Sequence, residues 1–363
     1  MIRLERVTNF LGKREFFRIG KEVYRKSPHH RVTDAEILNL LMSGKSAYFE
    51  HAKLEPFLIK QGRRTVGRVA IIHDERLSSY AQAAFFEALP DIESPAETIR
   101  LKAASLYPEA RHLIVGLNGH LNYSAGFLAN RFDEPPVFGL PYTLPYYLDY
   151  FDSFKRCDMV SFRFPLDEFY ELRRRIAPGL HLNNITIRTM DRSNLAREVD
   201  IYTYLNNACF KNHPYWADRT SIEDFELFHP FRFLLKEENL IIAEENGRPV
   251  GFLLWYPDFN ELVSAGETLG LTHVARYHLL NPIKTVRFTE IAVHPSCRNQ
   301  GVVPGMIMQM AESLEKGGYR FCEGGFIFEE NKESMGMTLR YIAKAFGREL
   351  ETYREFCVFE AEV

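Results

Sequence analysis

Apolar residues along the chain recur with two different periods, and the change of period marks the predicted elements. Alternating or continuous apolar runs rich in β-branched residues predict strands, and apolar residues three and four apart predict helices. The predicted strands are 2–8, 54–59, 65–72, 82–89, 112–115, 158–164, 184–189, 240–243, 250–256, 286–293, 320–328 and 354–359. The predicted helices are 11–26, 35–42, 95–107, 142–154, 166–176, 195–205, 221–233, 304–316 and 334–346. This alternation predicts a mixed α/β (α+β) fold.

The two halves of the chain repeat the same order of elements. Each half begins with a strand and a helix, continues through a hairpin, and then alternates strands and helices to its end. The hairpin turns are also alike, G-R-R-T-V-G at Gly62–Gly67 and G-R-P-V-G at Gly247–Gly251. Because Pro178-Gly179 breaks a charged helix between the halves, we predict an N-terminal domain at 1–165, a linker helix at 166–180 and a C-terminal domain at 181–363.

Composition narrows the classes of function. The chain has 363 residues and a net charge of -3, which gives no reason to expect a nucleic-acid partner. No apolar run is long enough for a signal peptide or a membrane span, so we expect no membrane partner. The five cysteines are scattered without C-x-x-C spacing, which favours a cytoplasmic location and argues against a metal site. The sequence leaves the oligomeric state open.

The stretch from Thr285 to Lys316 carries the clearest chemistry. It reads as a strand that ends at His294-Pro295, a polar loop that contains Arg298-Asn299-Gln300-Gly301, and a helix with Pro304 in its first turn. Backbone N–H groups at a helix N-terminus bind anions, and an arginine adds a full positive charge. The loop is therefore a candidate phosphate site, although a solvated turn would have the same local pattern.

This stretch resembles the pyrophosphate-binding signature of the GNAT superfamily of acyl-CoA-dependent N-acyltransferases. In that signature, Arg or Gln is followed by two residues, Gly, one residue, and Gly or Ala. Arg298, Asn299, Gln300, Gly301 and Val302 match the first five positions, and Val303 stands where a small residue is usual. The resemblance implies that acetyl-CoA or another acyl-CoA binds with its pyrophosphate on these amides, as a substrate and without a metal.

The whole chain resembles a bacterial group of tandem-GNAT proteins. The likeness includes Glu329-Glu330-Asn331 after a strand and Pro257-Asp258-Phe259-Asn260 after a hairpin. It implies two tandem GNAT folds, each a mixed, mostly antiparallel sheet flanked by helices. In the N-terminal half the counterpart of the signature, Ala83–Ser94, has neither arginine nor glycine between strand and helix. We therefore expect a degenerate N-terminal domain that either lends loop 116–145 to the active site or stands apart from it.

The resemblance also implies roles for individual residues. The N–H of Ile291 would point at the thioester oxygen, and Val293 and Asn331 would bond the pantetheine. Tyr341 matches the tyrosine that protonates the leaving thiolate, and a phenol is acidic enough for that step. Glu290 is the candidate base for the ammonium proton if a bulge interrupts the strand, and Glu323 is the alternative. Structural roles are the alternative: strand core for Ile291 and Val293, helix packing for Tyr341, a solvated or ion-paired side chain for Glu290, and a turn for Asn331.

The acceptor pocket is expected beside the first helix of the C-terminal half. The resemblance places there a set of mostly aromatic residues that would suit a small-molecule amine: Phe210, His213, Tyr215, Trp216, Trp255, Tyr256 and Asp258. Three functions from different classes follow. The first is an acyl-CoA-dependent N-acyltransferase, most simply an acetyltransferase. The second is a non-catalytic acyl-CoA- or ligand-binding protein, and the third is a Fem-type aminoacyl-tRNA-dependent ligase, against which the lack of basic bias argues.

Overall fold

A computed structural model describes residues 1–32, 35–180, 182, 184–298, 300–339 and 349–363. Within these ranges the strands β1 to β13 are, in order, Ile2–Arg6, Ala52–Gln61, Arg64–Asp74, Tyr80–Ala88, His112–Val115, Phe127–Leu128, Lys155–Pro165, Ile185–Thr189, Leu240–Glu245, Arg248–Pro257, Thr285–Val293, Phe321–Phe328 and Thr352–Glu362. The α-helices α1 to α10 are Phe10–Val23, Ala35–Ser43, Ala96–Leu106, Tyr147–Tyr150, Leu166–Ile176, Leu195–Phe210, Ser221–Phe231, Leu271–Leu280, Val302–Gly317 and Lys332–Thr338. The predicted mixed α/β class is confirmed.

The strands of both halves form one continuous sheet. Its order is β1-β2-β3-β4-β5-β13-β7-β12-β11-β10-β9-β8, with β6 beside β13. The pairs β4–β5 and β11–β12 are parallel and the other described pairs are antiparallel, as expected for a mixed, mostly antiparallel sheet. Strand β7 is the last strand of the N-terminal half but pairs with β12, whereas β13 is the last strand of the C-terminal half and pairs with β5. The halves thus exchange their last strands; the domain boundaries at 165 and 180 remain a prediction.

Helices cover both faces of the sheet. Residues of α1 and α2 share a hydrophobic cluster with Leu227 of α7, and Leu227 also packs with α6, so these four helices lie on one face. Helices α5 and α9 pack on the opposite face of the C-terminal half, and α3 packs on that face of the N-terminal half. Helix α9 begins after Gly301, whose φ of 79° suits a residue without a Cβ, and it ends at Gly318 with φ 69°.

One predicted helix is much shorter in the structure, and one helix of the structure was not predicted. The segment predicted as a helix at 142–154 contains one helical turn, Tyr147–Tyr150, because its tyrosines turn inward and donate to the backbone of β4 and the following residue. Helix α8 was not predicted, since its apolar residues Leu279 and Leu280 are exposed and give no single buried face. The end of the helix predicted at 334–346 lies outside the described residues.

The parallel strands of each half separate beyond a short paired region. Strands β11 and β12 pair only from Thr285–Phe321 to Phe288–Gly324. Beyond these residues β11 continues to pair with β10, and β12 continues with β7. A gap therefore opens in the middle of the sheet, next to Glu290 and Ile291. Strands β4 and β5 separate in the same way after Ala83 and Val115.

Candidate active site

A cavity of about 320 Å³ passes through the gap between β11 and β12. On one face it is lined by Tyr202 of α6 and Phe228 of α7, and on the other by Ile307 and Met310 of α9. Phe288–Ile291 and Gly324–Ile327 line the gap itself. Since residues from both faces of the sheet meet there, a ligand on one face can contact a ligand on the other. The volume falls within the range of about 300–1,000 Å³ typical of small-molecule sites.

The N-terminal half forms part of the cavity wall. Leu121, Asn122, Tyr123 and Ser124 lie along one side of the cavity, and Phe138 and Gly139 lie along another. Both segments belong to the 116–145 loop. Asp258 holds the second segment in place by accepting a hydrogen bond from the N–H of Phe138 at 2.8 Å. The cavity is therefore built by both halves of the chain.

A β-bulge sets the direction of Glu290. The pairing of β10 with β11 shifts between Leu254 and Trp255, so that Thr289 is left without a partner in the register. Glu290 then faces α6, while Ile291 packs in the core on the α9 side. The bulge anticipated from the sequence is present, although the side chains of Glu290 and Ile291 still point to opposite faces.

Two polar side chains bond the carboxylate of Glu290, and a third bonds one of those two. The hydroxyl of Tyr202 lies 3.0 Å from both carboxylate oxygens, and Asn206 Nδ2 donates to Oε2 at 2.6 Å. Asn122 Nδ2 in turn donates to the Tyr202 hydroxyl at 3.0 Å. The part of Glu290 that is exposed faces the cavity. The network leaves the carboxylate fixed in position and open to a ligand.

Burial gives Glu290 the properties of a base. Loss of contact with bulk water raises its pKa, against the opposing effects of the Arg219 charge and the hydrogen bonds from Asn206 and Tyr202. Arg219 is itself ion-paired with buried Asp224 at 2.5 Å. A carboxylate with a raised pKa accepts a proton more readily near neutral pH than an exposed glutamate does.

The residues predicted for the acceptor pocket separate into two groups. Phe210, His213, Trp216 and Tyr256 line the cavity. Tyr215 packs against Phe328 and its hydroxyl donates to Glu360 at 2.9 Å, away from the cavity. Trp255 is 1% exposed and stacks edge-on with Tyr319 on the α9 side. Asp258 is buried under the 136–139 segment, so it positions the wall and is not part of the lining.

The predicted phosphate loop connects β11 to α9 as expected. Arg298 is exposed, and Gly301 occupies the N-cap of α9 in a left-handed conformation. No acidic residue lies in the first turn of α9, and among the described residues no side chain caps it. These residues therefore leave the N–H groups of Val302 and Val303 available to an anion. The Val303 side chain packs against the hydrophobic core. Asn299 lies outside the described residues.

The remaining predicted residues have varied surroundings. Val293 is buried in the core on the α9 side. Asn331 caps α10 by accepting a hydrogen bond from Ser334 N at 3.1 Å, which is a turn role. Glu323, the alternative base, is completely buried, bonds to Ser161 and Arg354, and is not part of the cavity lining. Tyr341 lies outside the described residues, so its role stays a prediction.

Several polar residues of the site were not predicted. Tyr202 and Asn206 lie four residues apart on α6, a spacing that places them on one helix face, and this signal was available in the sequence. Arg287 lines the cavity. Its position as a charged residue within an apolar strand was a second signal available in the sequence. Asn122 gave no signal, because it lies 80 residues from its partner Tyr202.

Metal sites and membrane spans are both absent from the part of the chain that the structure describes. No group of three or more His, Cys, Asp or Glu side chains there could hold a metal ion. Among the described helices, none combines the length and apolar character needed to cross a membrane. All five cysteines are free.

Comparison with known proteins agrees with this geometry. Residues 201–340 match the model of the Acetyltransferase (GNAT) family. The bacterial ceramide synthase of Caulobacter vibrioides is 22% identical over 332 residues, covering 85% of this chain and 84% of that protein. Protein YghO of Escherichia coli is 21% identical over 234 residues, covering 61% of this chain and 60% of YghO.

A solved structure shares the complete architecture. The tandem GNAT protein from the clavulanic acid biosynthesis pathway superimposes with a TM-score of 0.54 at 13% sequence identity. The match covers 100% of this chain and 98% of that one. The predicted pair of tandem GNAT folds is confirmed.

Proposed function

Because this chain is a tandem-GNAT-fold protein whose residues 201–340 match the GNAT acetyltransferase family, we propose that it is an acyl-CoA-dependent N-acyltransferase. The observation that carries the proposal is the cavity through the β11–β12 gap, with the fixed carboxylate of Glu290 in its wall. The Arg298–Gly301 loop lies at the end of the same strand. Donor and acceptor can therefore approach the gap from opposite faces of the sheet.

The proposed reaction exchanges a thioester for an amide. Glu290 takes a proton from the ammonium group of the acceptor, and the neutral amine attacks the thioester carbon. The backbone N–H of Ile291 donates to the oxyanion of the tetrahedral intermediate, an interaction that can lower a barrier by about 3 kcal/mol. The carbon–sulfur bond then breaks and Tyr341 protonates the thiolate. The amide nitrogen releases its second proton, which returns to the Tyr341 phenolate, so that the products are an amide and CoA.

The cavity lining favours an acceptor with a hydrocarbon chain. Its wall away from α9 is mainly aromatic and aliphatic, including Phe138, Leu227, Phe228, Phe231, Leu235 and Phe259. Burial of each methylene contributes about 0.8 kcal/mol, so such a wall selects apolar substrates over polar amines. The name of the relative from Caulobacter vibrioides, a ceramide synthase, also supports an amine with a long chain.

The length of the acyl group is a second question. The tandem GNAT protein from the clavulanic acid pathway is described as a form without acetyl-CoA, and this mention of acetyl-CoA favours the acetyl donor expected from the sequence. Lining residues on the α9 side, among them Phe169 and Met310, favour a longer acyl chain. We propose an acyl-CoA whose chain enters this apolar part, with acetyl-CoA as the alternative donor.

A panel assay tests the function. Acetyl-, octanoyl- and palmitoyl-CoA are each combined with dodecylamine or with a polar amine such as glucosamine. Release of free CoA thiol and the mass of the amide are measured together. We expect amide formation with dodecylamine and its loss in Glu290→Gln. Binding of acyl-CoA without amide from any amine would favour the non-catalytic alternative, and binding of charged tRNA in place of CoA would favour the Fem-type ligase.

A cytoplasmic location is part of the same proposal. It rests on the five free cysteines, which agree with a reducing compartment.

A further inference from the structure

Arg287 is a buried cation in the wall of the acceptor side of the cavity. It precedes Glu290 by three residues on β11 and is 7% exposed. Tyr256 is its register partner on β10, as Leu254 is the partner of Glu290. Because paired residues of neighbouring strands share a face and Thr289 is bulged, Arg287 and Glu290 face the same side of the sheet.

The hydrogen bonds of Arg287 go to neutral acceptors. Its Nη1 donates to the carbonyl oxygen of Phe138 at 3.3 Å and to the hydroxyl of Tyr256 at 3.1 Å, and Nη2 donates to Gly325 O at 3.3 Å. Its Nε is buried without a hydrogen-bond partner among the described residues. The 3.1 Å contact is at the long end of the normal range for N–H···O bonds, about 2.7–3.2 Å, and the two contacts at 3.3 Å lie beyond it.

The buried carboxylate on the neighbouring strand is already committed to other partners. Glu323, the register partner of Arg287 on β12, accepts hydrogen bonds from Ser161 Oγ at 3.0 Å and from Arg354 at 3.4 Å. Its interaction with Arg287 is through space and is shared with Arg163 and Arg354. A buried guanidinium that lacks a hydrogen-bonded anion is costly unless a ligand completes it.

Gly139 keeps space open around the guanidinium. It has a φ of +80°, and a Cβ added there would collide with Arg287 Nη1 and with the Tyr256 hydroxyl. Among the described residues that line the cavity, Arg287 is the one arginine or lysine, whereas Glu36 and Glu290 are carboxylates. The lining therefore presents one positive and one negative group on the same face of β11.

We propose that Arg287 binds an oxyanion carried by the acceptor, so that the acceptor is an apolar chain with both an amine and a carboxylate or phosphate group. The ammonium would face Glu290 and the oxyanion would face Arg287 and Tyr256. The Cα atoms of Arg287 and Glu290 are at most about 10 Å apart at about 3.3 Å per residue, a span that one headgroup can bridge. This inference rests on the proposed function.

Binding without turnover tests the inference. The full chain, with no acyl-CoA, is titrated calorimetrically with dodecyl phosphate, dodecanoate and dodecanol, which share one chain and differ in the headgroup. The readout is the ratio of the Kd for dodecanol to the Kd for the tighter anion. We expect a ratio of about ten or more in the parent protein, since hydrogen bonds to charged groups are the stronger ones. The anion that binds tighter identifies the oxyanion as carboxylate or phosphate.

Variants then assign the preference to one residue. Arg287→Met should bring the ratio to about one, and Arg287→Lys should keep part of it. Arg163→Met is the matched control, because Arg163 also interacts with Glu323 but does not line the cavity. Tyr256→Phe should lower the ratio a few-fold and serves as the second variant if Arg287→Met fails to fold. An equal Kd for all three probes in the parent, or an unchanged ratio in Arg287→Met, overturns the inference.

The outcome is separable from that of the proposed function. The protein could show an anion preference that depends on Arg287 and yet form no amide in the panel assay. Arg287 would then be confirmed as a ligand-binding residue, and the proposed acyltransferase activity would be rejected. Amide formation without any anion preference would support the acyltransferase activity and reject the proposed role of Arg287.

Discussion

Asn122, from the N-terminal half, donates its side-chain amide to the hydroxyl of Tyr202, from the C-terminal half, at 3.0 Å. That hydroxyl contacts both carboxylate oxygens of Glu290. The two halves therefore meet in one hydrogen-bond chain that ends on the proposed base. This contact agrees with the first of the two expectations for the N-terminal half, in which it lends the 116–145 loop to the site.

Replacement of Asn122 tests whether this contact positions Glu290. Asn122→Ala removes one hydrogen bond, worth about 1 kcal/mol, so we expect kcat/KM for the amine to fall roughly fivefold. The affinity for CoA should not change, because Asn122 lies on the acceptor face. Steady-state kinetics and CoA titration measure the two quantities. Asn194→Ala, at an exposed asparagine, is the control, and equal losses in both variants would contradict a positioning role.

Glu290→Gln should abolish the acidic limb of the pH–rate profile. Burial raises the pKa of Glu290, and the base must be ionised to act. The rate of the parent enzyme is therefore expected to fall as the pH drops through that raised pKa. Loss of a general base costs about 10²- to 10⁴-fold in rate. Profiles of kcat/KM against pH for both proteins check this, and a limb that persists in Glu290→Gln would assign it to another group.

Asp258→Asn should stabilise the protein at alkaline pH. Burial raises the pKa of Asp258 to about 7, although the N–H groups of Phe138 and Asn260 oppose the shift. Because the pKa of Asp258 is raised in the folded state, protonated Asp258 contributes its full stabilisation of the fold below the unfolded pKa of about 3.9. This contribution is lost as the pH rises through about 7. Both N–H groups donate to Oδ1, which asparagine retains.

Urea unfolding at about pH 5 and about pH 8 measures this difference. We expect Asp258→Asn to be more stable than the parent at the higher pH, by at most about 4 kcal/mol at about 1.4 kcal/mol per pKa unit. The difference should shrink at the lower pH. Asp152→Asn, at an exposed aspartate, is the control. A stability difference that does not change with pH would rule out titration of Asp258 as its cause.

Local patterns predicted the elements of this fold but not how the halves join. Strands β7 and β13 each show the apolar pattern of a buried strand, and that pattern is the same whichever neighbour the strand pairs with. The exchange of last strands is decided by non-local pairing, as in the contacts of β7 with β12 and of β13 with β5. The one-turn helix at Tyr147–Tyr150 likewise depends on hydrogen bonds to β4, which helical periodicity does not register.

The site could be predicted where its chemistry lies on one continuous segment. Glu290 and Arg298–Gly301 follow each other along the chain, so the motif identified them together. Trp255 and Tyr256 show the limit of such reasoning, since they are adjacent and both aromatic, yet only Tyr256 lines the cavity. Strand alternation decides between them, and assigning the face requires the register with β11.

Arg298→Ala should weaken acyl-CoA binding by about tenfold or more, because a hydrogen bond to a charged group contributes about 1.5–3 kcal/mol. Gly301→Glu should place a negative charge beside the negatively charged pyrophosphate. It should also strain the backbone, since Gly301 has a φ of 79°. Together they should remove the thermal stabilisation that CoA confers. Arg14→Ala, at an exposed arginine of α1, is the control. Full stabilisation of the double variant by CoA would place the site elsewhere.

The final prediction concerns the number of CoA sites. In the N-terminal half, aromatic side chains fill the region beside β4 where that strand leaves β5. The hydroxyl of Tyr147 accepts from the N–H of Ala88 at 3.0 Å and donates to Glu87 at 2.6 Å. Tyr146 donates to the carbonyl of Ala88 at 2.8 Å. The backbone groups that a pantetheine arm would need are thus already bonded.

The loop after β4 adds a second obstacle. Asp91 and Glu93 lie in the loop between β4 and α3, the counterpart of the pyrophosphate loop, where their negative charges oppose the binding of an anion. Pro95 at the N-cap of α3 also removes a backbone donor. Calorimetric titration of the full chain with acyl-CoA should therefore give about one site per chain, and Gly301→Glu should abolish that site. A stoichiometry of two, or binding that survives Gly301→Glu, would mean that the N-terminal half holds a working CoA site.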